Sequence, residues 1–584
     1  MHRPARRAVP ALAVSLALAL SGCGDGTTMP DPAATTPATA GDTPLTEIDP
    51  AEIAEQRDLP ETYRQPAVDG TAQPAATVAV DAEPTGEDYA HGGVGLSFEA
   101  TELADERLSA ENTDLVHLVR QMDQPTLRFG GNSVDRRFFF TAEDEQPPTD
   151  WPLQKGEQIT TVTPEDLERV AGFAEATGSK VILGANLAAD DPRRAAELAE
   201  HGRAAFGDDL IALMVGNEPN GFYKGEDHRL TVKDENWDIP QYLADLEQYT
   251  AAVRAAVPDL TITGPGAYAP DWWAAVAESG IEDVVLAAHQ YPLSSCDGST
   301  PHQEPTMRNL VAEHTRDNVD RFLGLAVDQG KEAGLPVWLS ETSVSACTGS
   351  NDVTESLGSA VFSAEYSLRA QSLGVERLVY HSSLDQCAGG PPMSPVCSSG
   401  TREDPSGAYS LRANHLGMTL VGQIPDGDFL GTAVAGNEDV TAYTIDHGED
   451  PQGRRQVTLA LTTFADPAGD GRTPVTVDLP FAYAEAVMAQ LGGPDWDAQF
   501  PKASLFDVAP EDGERRTEDT DGRAQTVDAA LTPIGDDHVS VDGWGLPLTP
   551  VSERPKVPGA EPSTDELRLS LNPGTVTVVT LTQE

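Results

Sequence analysis

Between about residue 92 and residue 420 the chain alternates short apolar runs with helical patterns, and it does so eight times. The strand candidates are 93–98, 126–130, 180–186, 211–216, 261–264, 284–289, 337–340 and 377–381. Helical periodicity fills the gaps, at 163–177, 193–206, 239–257, 307–333 and 355–373. Near-continuous apolar runs fit strands buried on both faces, and parallel neighbours need a crossover helix between them. Eight such units predict a (β/α)8 TIM barrel over residues 91–423.

Beyond residue 424 the helical period fades. Alternation at 432–445, 455–464, 475–479 and 575–582 predicts an antiparallel β-sandwich domain over 424–584. Residues 507–566 are acidic and rich in Pro and Gly, which reads as a long insertion between late strands. A short strand is expected at 76–80, within a segment 73–90 ahead of the barrel. Two domains suit a chain of 584 residues, which is too long for one ordinary core.

The first residues read as a targeting segment, 1–22. Arg3, Arg6 and Arg7 precede an apolar stretch at 8–20 that is too short to span a bilayer. Leu20-Ser21-Gly22-Cys23 resembles a bacterial lipobox, which makes Cys23 the expected lipidation site. Residues 23–72, rich in Ala, Thr, Pro and acidic residues, read as a flexible tether. The expectation is an enzyme anchored by lipid at the outer face of the cell membrane, with no other membrane contact.

That placement bears on the cysteines. Of five in the chain, Cys296, Cys347, Cys387 and Cys397 remain for an oxidising compartment. Three pairings are open to them. The favoured one joins Cys296 to Cys347 across neighbouring loops and Cys387 to Cys397, which are close in sequence. Their spacing matches no zinc site, and no metal or cofactor is expected. The net charge of −56, from 94 acidic against 38 basic residues, argues against a nucleic-acid partner and a long sulfated polyanion. A monomer is expected.

The polar residues at the strand ends carry the chemistry. Glu218, in Gly216-Asn217-Glu218-Pro219-Asn220, follows the fourth strand, and Glu341 follows the seventh. Two carboxyl groups across the mouth of a barrel are what cleavage of a glycosidic bond requires. Glu218 is the expected acid/base and Glu341 the nucleophile. Asn217 is placed to hold a sugar 2-hydroxyl. In His289-Gln290-Tyr291-Pro292, Tyr291 can donate a hydrogen bond to Glu341, and His289 is a candidate substrate ligand. Arg128, in Leu127-Arg128-Phe129-Gly130-Gly131-Asn132, lies inside a barrel strand and needs a carboxylate partner, one of the glutamates or Glu99. Asn132, Asn186 and His381 are candidate pocket residues. The competing readings are a neutral β-glycosidase and a surface lipoprotein that binds glycans without cutting them.

These segments resemble those of glycoside hydrolase family 79, the heparanase-like β-glucuronidases. The likeness rests on Gly216–Asn220 with Phe222 and Lys224 following, on Leu127–Asn132, on His289 with Tyr291, and on Ser340-Glu341-Thr342. The resemblance implies a retaining β-glucuronidase without a cofactor, acting on a carbohydrate substrate. It also implies a sandwich that takes in a strand from before the barrel, and contacts to substrate from Lys224 and Gly349. One departure stands in the loop after strand eight. It reads Ser382-Ser383-Leu384-Asp385-Gln386-Cys387, without the family's tyrosine, and Asp385 would repel a uronate unless the loop turns away.

Overall fold

The computed structural model describes residues 61–583 apart from positions 144, 150, 152, 154–156, 226–227, 229, 348–349, 386–393, 399, 403–408, 451, 499–539 and 542–550. After a long strand, β1 (Ala76–Tyr89), eight parallel strands close into a barrel. They are β2 (Val94–Glu99), β3 (Thr126–Gly130), β4 (Val181–Ala185), β5 (Leu210–Val215), β6 (Thr261–Ala267), β7 (Val284–Gln290), β8 (Val337–Thr342) and β9 (Val375–Ser382). Each is followed by a helix: α1 (Thr113–Arg120), α2 (Pro164–Thr177), α3 (Pro192–Phe206), α4 (Ile239–Ala256), α5 (Pro270–Glu278), α6 (Glu313–Ala333), α7 (Leu357–Leu373) and α8 (Ala413–Gly422).

Local chemistry starts and stops these helices. Thr163 and Asp166 form a reciprocal capping box ahead of α2, with Pro164 in its first turn. Asp191 and Asp238 cap α3 and α4. Gly178, Gly334 and Gly374 end α2, α6 and α7 in the left-handed region. Inside the barrel, Ile182, Ala212, Met214, Val285 and Trp338 fill the base and leave the strand ends at the mouth for polar groups.

The C-terminal sandwich contains β10 (Gly427–Ala435), β11 (Val440–Glu449), β12 (Arg455–Thr463), β13 (Thr473–Gly492), β14 (Thr564–Leu571) and β15 (Thr575–Gln583). The strand before the barrel joins it: β1 runs antiparallel to β10 and parallel to the start of β13. β13 pairs first with β14 and then with β15, so one strand of 20 residues serves two partners in turn. The sandwich is tied to the barrel by Tyr443, whose hydroxyl donates to Oε1 of buried Glu365 on α7 at 2.7 Å.

Several boundaries differ from the sequence expectation. The run at 432–445 is two strands, because Gly436 turns the chain at φ +93° without interrupting the alternation. The expected helix 307–333 is broken into Met307–Leu310 and α6, where Ala312 is extended. α8 escaped notice because all ten of its residues are buried, which leaves it no polar face to give a period. The strand expected at 76–80 extends to Tyr89. Part of the expected tether is held to the body. Tyr63 N–H donates to Lys556 O at 3.0 Å, and Thr71 O accepts from Gly471 N–H at 2.7 Å. Cys23 and the targeting segment lie outside the described residues.

Candidate active site

The acid/base candidate sits on a strained turn. Leaving β5, the chain passes Gly216 at φ +76°, where an added Cβ would lie 2.9 Å from the Leu187 side chain. Glu218 then adopts φ 51° and ψ 53°, a left-handed conformation that costs a non-glycine residue ~1–3 kcal/mol. The turn is held because Glu218 N–H donates to Gly266 O at 2.8 Å and Gly221 N–H closes back on Glu218 O at 2.8 Å. Strain so held directs the Glu218 side chain into the barrel mouth.

Glu341 is the penultimate residue of β8 rather than the residue after it, since the strand continues to Thr342. Its carboxylate is buried and fully engaged. Arg128 donates from Nη1 to Oε2 at 2.9 Å, and the Tyr291 hydroxyl donates to Oε1 at 2.8 Å. Burial alone would raise its pKa. His381 and the Arg128 guanidinium, with the Tyr291 hydrogen bond, pull against burial and hold it below its ordinary range. Burial and the adjacent Glu341 raise the Tyr291 hydroxyl well above its ordinary range, so it stays a donor.

Arg128 links the two halves of the site. Besides Glu341 it donates to Ser97 Oγ at 2.6 Å and, from Nη2, to Asn217 Oδ1 at 2.6 Å. Those bonds fix the Asn217 amide, leaving its buried Nδ2 without a partner among the described residues. A carboxylate oxygen of Glu218, one of Glu341 and a ring nitrogen of His289 lie within 4.8 Å of one another. Such a trio can geometrically hold a cation. Here both oxygens of Glu341 already accept hydrogen bonds and a guanidinium stands against one of them, which disfavours a cation as the occupant.

Other candidates are placed differently from expectation. His289 is fully buried, with Nδ1 3.3 Å from Glu218 Oε1 and Nε2 3.1 Å from Ser340 Oγ, so both nitrogens face protein atoms rather than substrate. Asn132 accepts from Arg136 Nη1 through both its carbonyl and its Oδ1. Asn186 is spent on backbone groups, donating to Phe138 O in the loop after β3 and accepting from Ala189 N–H in its own. Lys224 packs beside Gly221, in the turn that follows Glu218, and its Nζ would lie 3.5 Å from a Cβ placed there. Gly349 lies outside the described residues.

The structure adds Asp135 and Arg107, which the sequence did not mark, and supplies partners for Glu99, His381 and Asp385, which it did. Asp135 accepts from the backbone N–H groups of Asn217, Leu187 and Ala188, which couples the loops after β3, β4 and β5. Burial pushes its carboxyl up to about 6 against the pull of those donors. Glu99, at the end of β2, accepts from Ser133 N at 2.7 Å and lies 3.4 Å from His381 Nε2, so its partner is His381 rather than Arg128. Gly131 is required there: at φ +68°, a Cβ would lie 2.6 Å from the Glu99 carboxylate. Asp385 forms an ion pair with Arg107, which is buried and also bonded to Asp105.

A covalent wall stands beside Glu341. Past the barrel rim the loops after β7 and β8 stay paired, with Ala346 N–H donating to Leu293 O at 3.0 Å. The Cys296–Cys347 disulfide then joins them. Cys397 is disulfide-bonded as well, while Cys387 lies outside the described residues.

No protein-family model and no curated protein matches the chain. Solved structures do match. A 4-O-α-L-rhamnosyl-β-D-glucuronidase from Fusarium oxysporum 12S aligns with a TM-score of 0.55 at 16% identity, over 86% of this chain and 100% of that one. A GH51 arabinofuranosidase from Xanthomonas axonopodis pv. citri gives 0.58 at 13% identity, over 87% and 100%. A monomeric β-xylosidase from Caulobacter crescentus CB15 gives 0.50 at 15% identity, over 86% and 99%. All three are glycoside hydrolases by name, and the fold they share with this chain is a TIM barrel with a C-terminal β-sandwich.

Proposed function

We propose that the protein is a retaining glycoside hydrolase whose substrates are β-glucuronides. The observation that carries this reading is the short separation of two carboxyl groups at the mouth of the barrel. Their closest oxygens lie within 4.8 Å, whereas an inverting site keeps its carboxyls ~6.5–9.5 Å apart to admit a water. In the reaction Glu218 gives its proton to the glycosidic oxygen while ionised Glu341 attacks C1. A water, deprotonated by Glu218, then releases the sugar from Glu341. Asn217 Nδ2 is the donor available to the sugar 2-hydroxyl, a contact that tightens in the transition state.

Two points favour a uronate over a neutral sugar. Asp385 is held in an ion pair by Arg107, which weakens the repulsion that the loop after β9 would otherwise exert. One of the matching structures is a glucuronidase by name. Glu99 supports the competing reading, because a carboxylate at the rim is suited to sugar hydroxyls. The deciding experiment compares 4-nitrophenyl β-glucuronide, β-glucoside and β-xyloside as substrates of wild type, Glu218→Gln and Glu341→Gln. Glucuronide turnover lost in both variants is expected; turnover of neutral glycosides alone would transfer the specificity, and no turnover would remove the glycosidase reading. We further propose that Cys23 anchors the enzyme by lipid, which mass spectrometry of the mature protein tests.

A further inference from the structure

We infer that Ser340 and His289 act together to decide which oxygen of Glu218 carries the transferable proton; this rests on the glycosidase reading above. His289 lies between the two, with Nε2 3.1 Å from Ser340 Oγ and Nδ1 3.3 Å from Glu218 Oε1. Ser340 is buried, and among the described residues its hydroxyl faces no acceptor besides His289. Gly266 makes the arrangement possible, since a Cβ there would lie 3.0 Å from Met214 Sδ and 3.4 Å from His289 Nε2. The same Gly266 takes the backbone N–H of Glu218 at 2.8 Å.

A serine hydroxyl whose one acceptor is an imidazole nitrogen donates to it. Nε2 is then an acceptor, which leaves the ring hydrogen on Nδ1. Nδ1–H in turn donates to Oε1 of Glu218. A carboxyl group whose Oε1 is accepting carries its own proton on Oε2, so Oε2 is the acid atom presented to substrate.

The proton balance follows. As the Oε2–H bond breaks, the proton passes to the glycosidic oxygen, the C1–O electron pair leaves with the aglycone, and Glu341 bonds to C1. In the second half Oε2 takes a proton from the attacking water, whose oxygen bonds to C1 and displaces Glu341. Through both halves Nδ1–H remains on Oε1 and stabilises the ionised form that exists between them. His289 is thus a positioning residue, not a ligand for sugar.

Other groups act on Glu218 as well. Glu341 and Arg128 face it across the barrel mouth, Tyr268 and Tyr291 come from the loops after β6 and β7, and Arg136 comes from the loop after β3. Both tyrosines are raised by burial and stay neutral through the working range.

The test uses Ser340→Ala and His289→Ala with phenyl and 2,4-dinitrophenyl glycosides of whichever sugar the wild type cleaves. A dinitrophenolate leaves without a proton, whereas a phenolate needs one. The expected result is a loss of about tenfold or more in kcat/KM on the phenyl substrate with little loss on the dinitrophenyl one. In His289→Ala the alkaline limb of the pH profile should also move to higher pH, because a donor to the ionised carboxylate has gone. Equal losses on both substrates in either variant, or an unmoved alkaline limb in a His289→Ala protein that melts like wild type, would overturn the inference. If His289→Ala does not fold, the leaving-group comparison in Ser340→Ala decides it. A wild type that cleaves no glycoside fails the glycosidase reading instead.

Discussion

Arg128 reaches from the centre of β3 across the barrel and donates to Glu341, the penultimate residue of β8, at 2.9 Å. An arginine with no exposed surface is tolerable only when its charge is matched, and here the match is the candidate nucleophile. Catalysis and folding therefore depend on one ion pair.

Replacing that arginine by lysine should separate the two roles. Lysine keeps the charge but cannot hold Glu341 and Asn217 at once. In the wild type the folded carboxyl is held below its ordinary value of 4.5, so it stays ionised and sets no acid limb in the working range. Lysine leaves a cation beside it, so no acid limb should emerge in Arg128→Lys either. kcat/KM should fall by about tenfold or more through loss of the second arm. A kcat/KM within twofold of wild type, or a new acid limb, would contradict this.

Tyr291→Phe removes a donor from a buried carboxylate and little else. A hydrogen bond to a charged group contributes ~1.5–3 kcal/mol, so kcat should fall by ~10–100-fold. The Tm should fall by a few degrees as well, because the folded state buries the carboxylate that loses its donor. A kcat within twofold of wild type would show that the 2.8 Å bond does not serve the nucleophile.

Opening the Cys296–Cys347 disulfide frees a chain separation of 51 residues, which in the loop-entropy account costs ~4 kcal/mol. Cys296→Ser with Cys347→Ser should lower the Tm by several degrees. Because the bond joins the loops behind Tyr291 and Glu341, it should also raise KM. An unchanged Tm in calorimetry would refute the structural role.

Glu102 predicts a pH dependence of stability. Burial, with Asp105 and Glu99 nearby, pushes its carboxyl up to about 8, against hydrogen bonds from Leu384 N–H and the Ser383 hydroxyl. The folded value lies above the ordinary 4.5, so folding favours the protonated form. Its stabilisation is complete below about pH 4.5 and is lost as pH rises through about 8. Glu102→Gln mimics the protonated group and should melt higher than wild type at pH 8, with the gap closing at pH 5. A gap independent of pH would place the carboxyl in its ordinary range.

Much of this was legible along the chain. β3 was bounded at both ends, and β4, β5, β7 and β8 to within two residues, because buried parallel strands are apolar without interruption. The same logic failed for α8, where burial on all sides erased the period, and for β13, whose bend lies inside one continuous alternation. At the site, Glu218 and Glu341 were marked by their place after apolar runs. Asp135 and Arg107 carried no such mark, and Glu99 and His381 were named without being paired, since their meaning lies in partners far away in sequence.

What the sequence determined by itself is the repeating strand–helix period, and with it the barrel and the two glutamates at its mouth. Periodicity is a local property and needs no partner to be read. Tertiary structure alone decided that Arg128 joins Glu341 to Asn217, that His289 faces Ser340 and Glu218 rather than substrate, and that Asp385 pairs with Arg107. Those relations are distances between residues brought together only when the barrel closes.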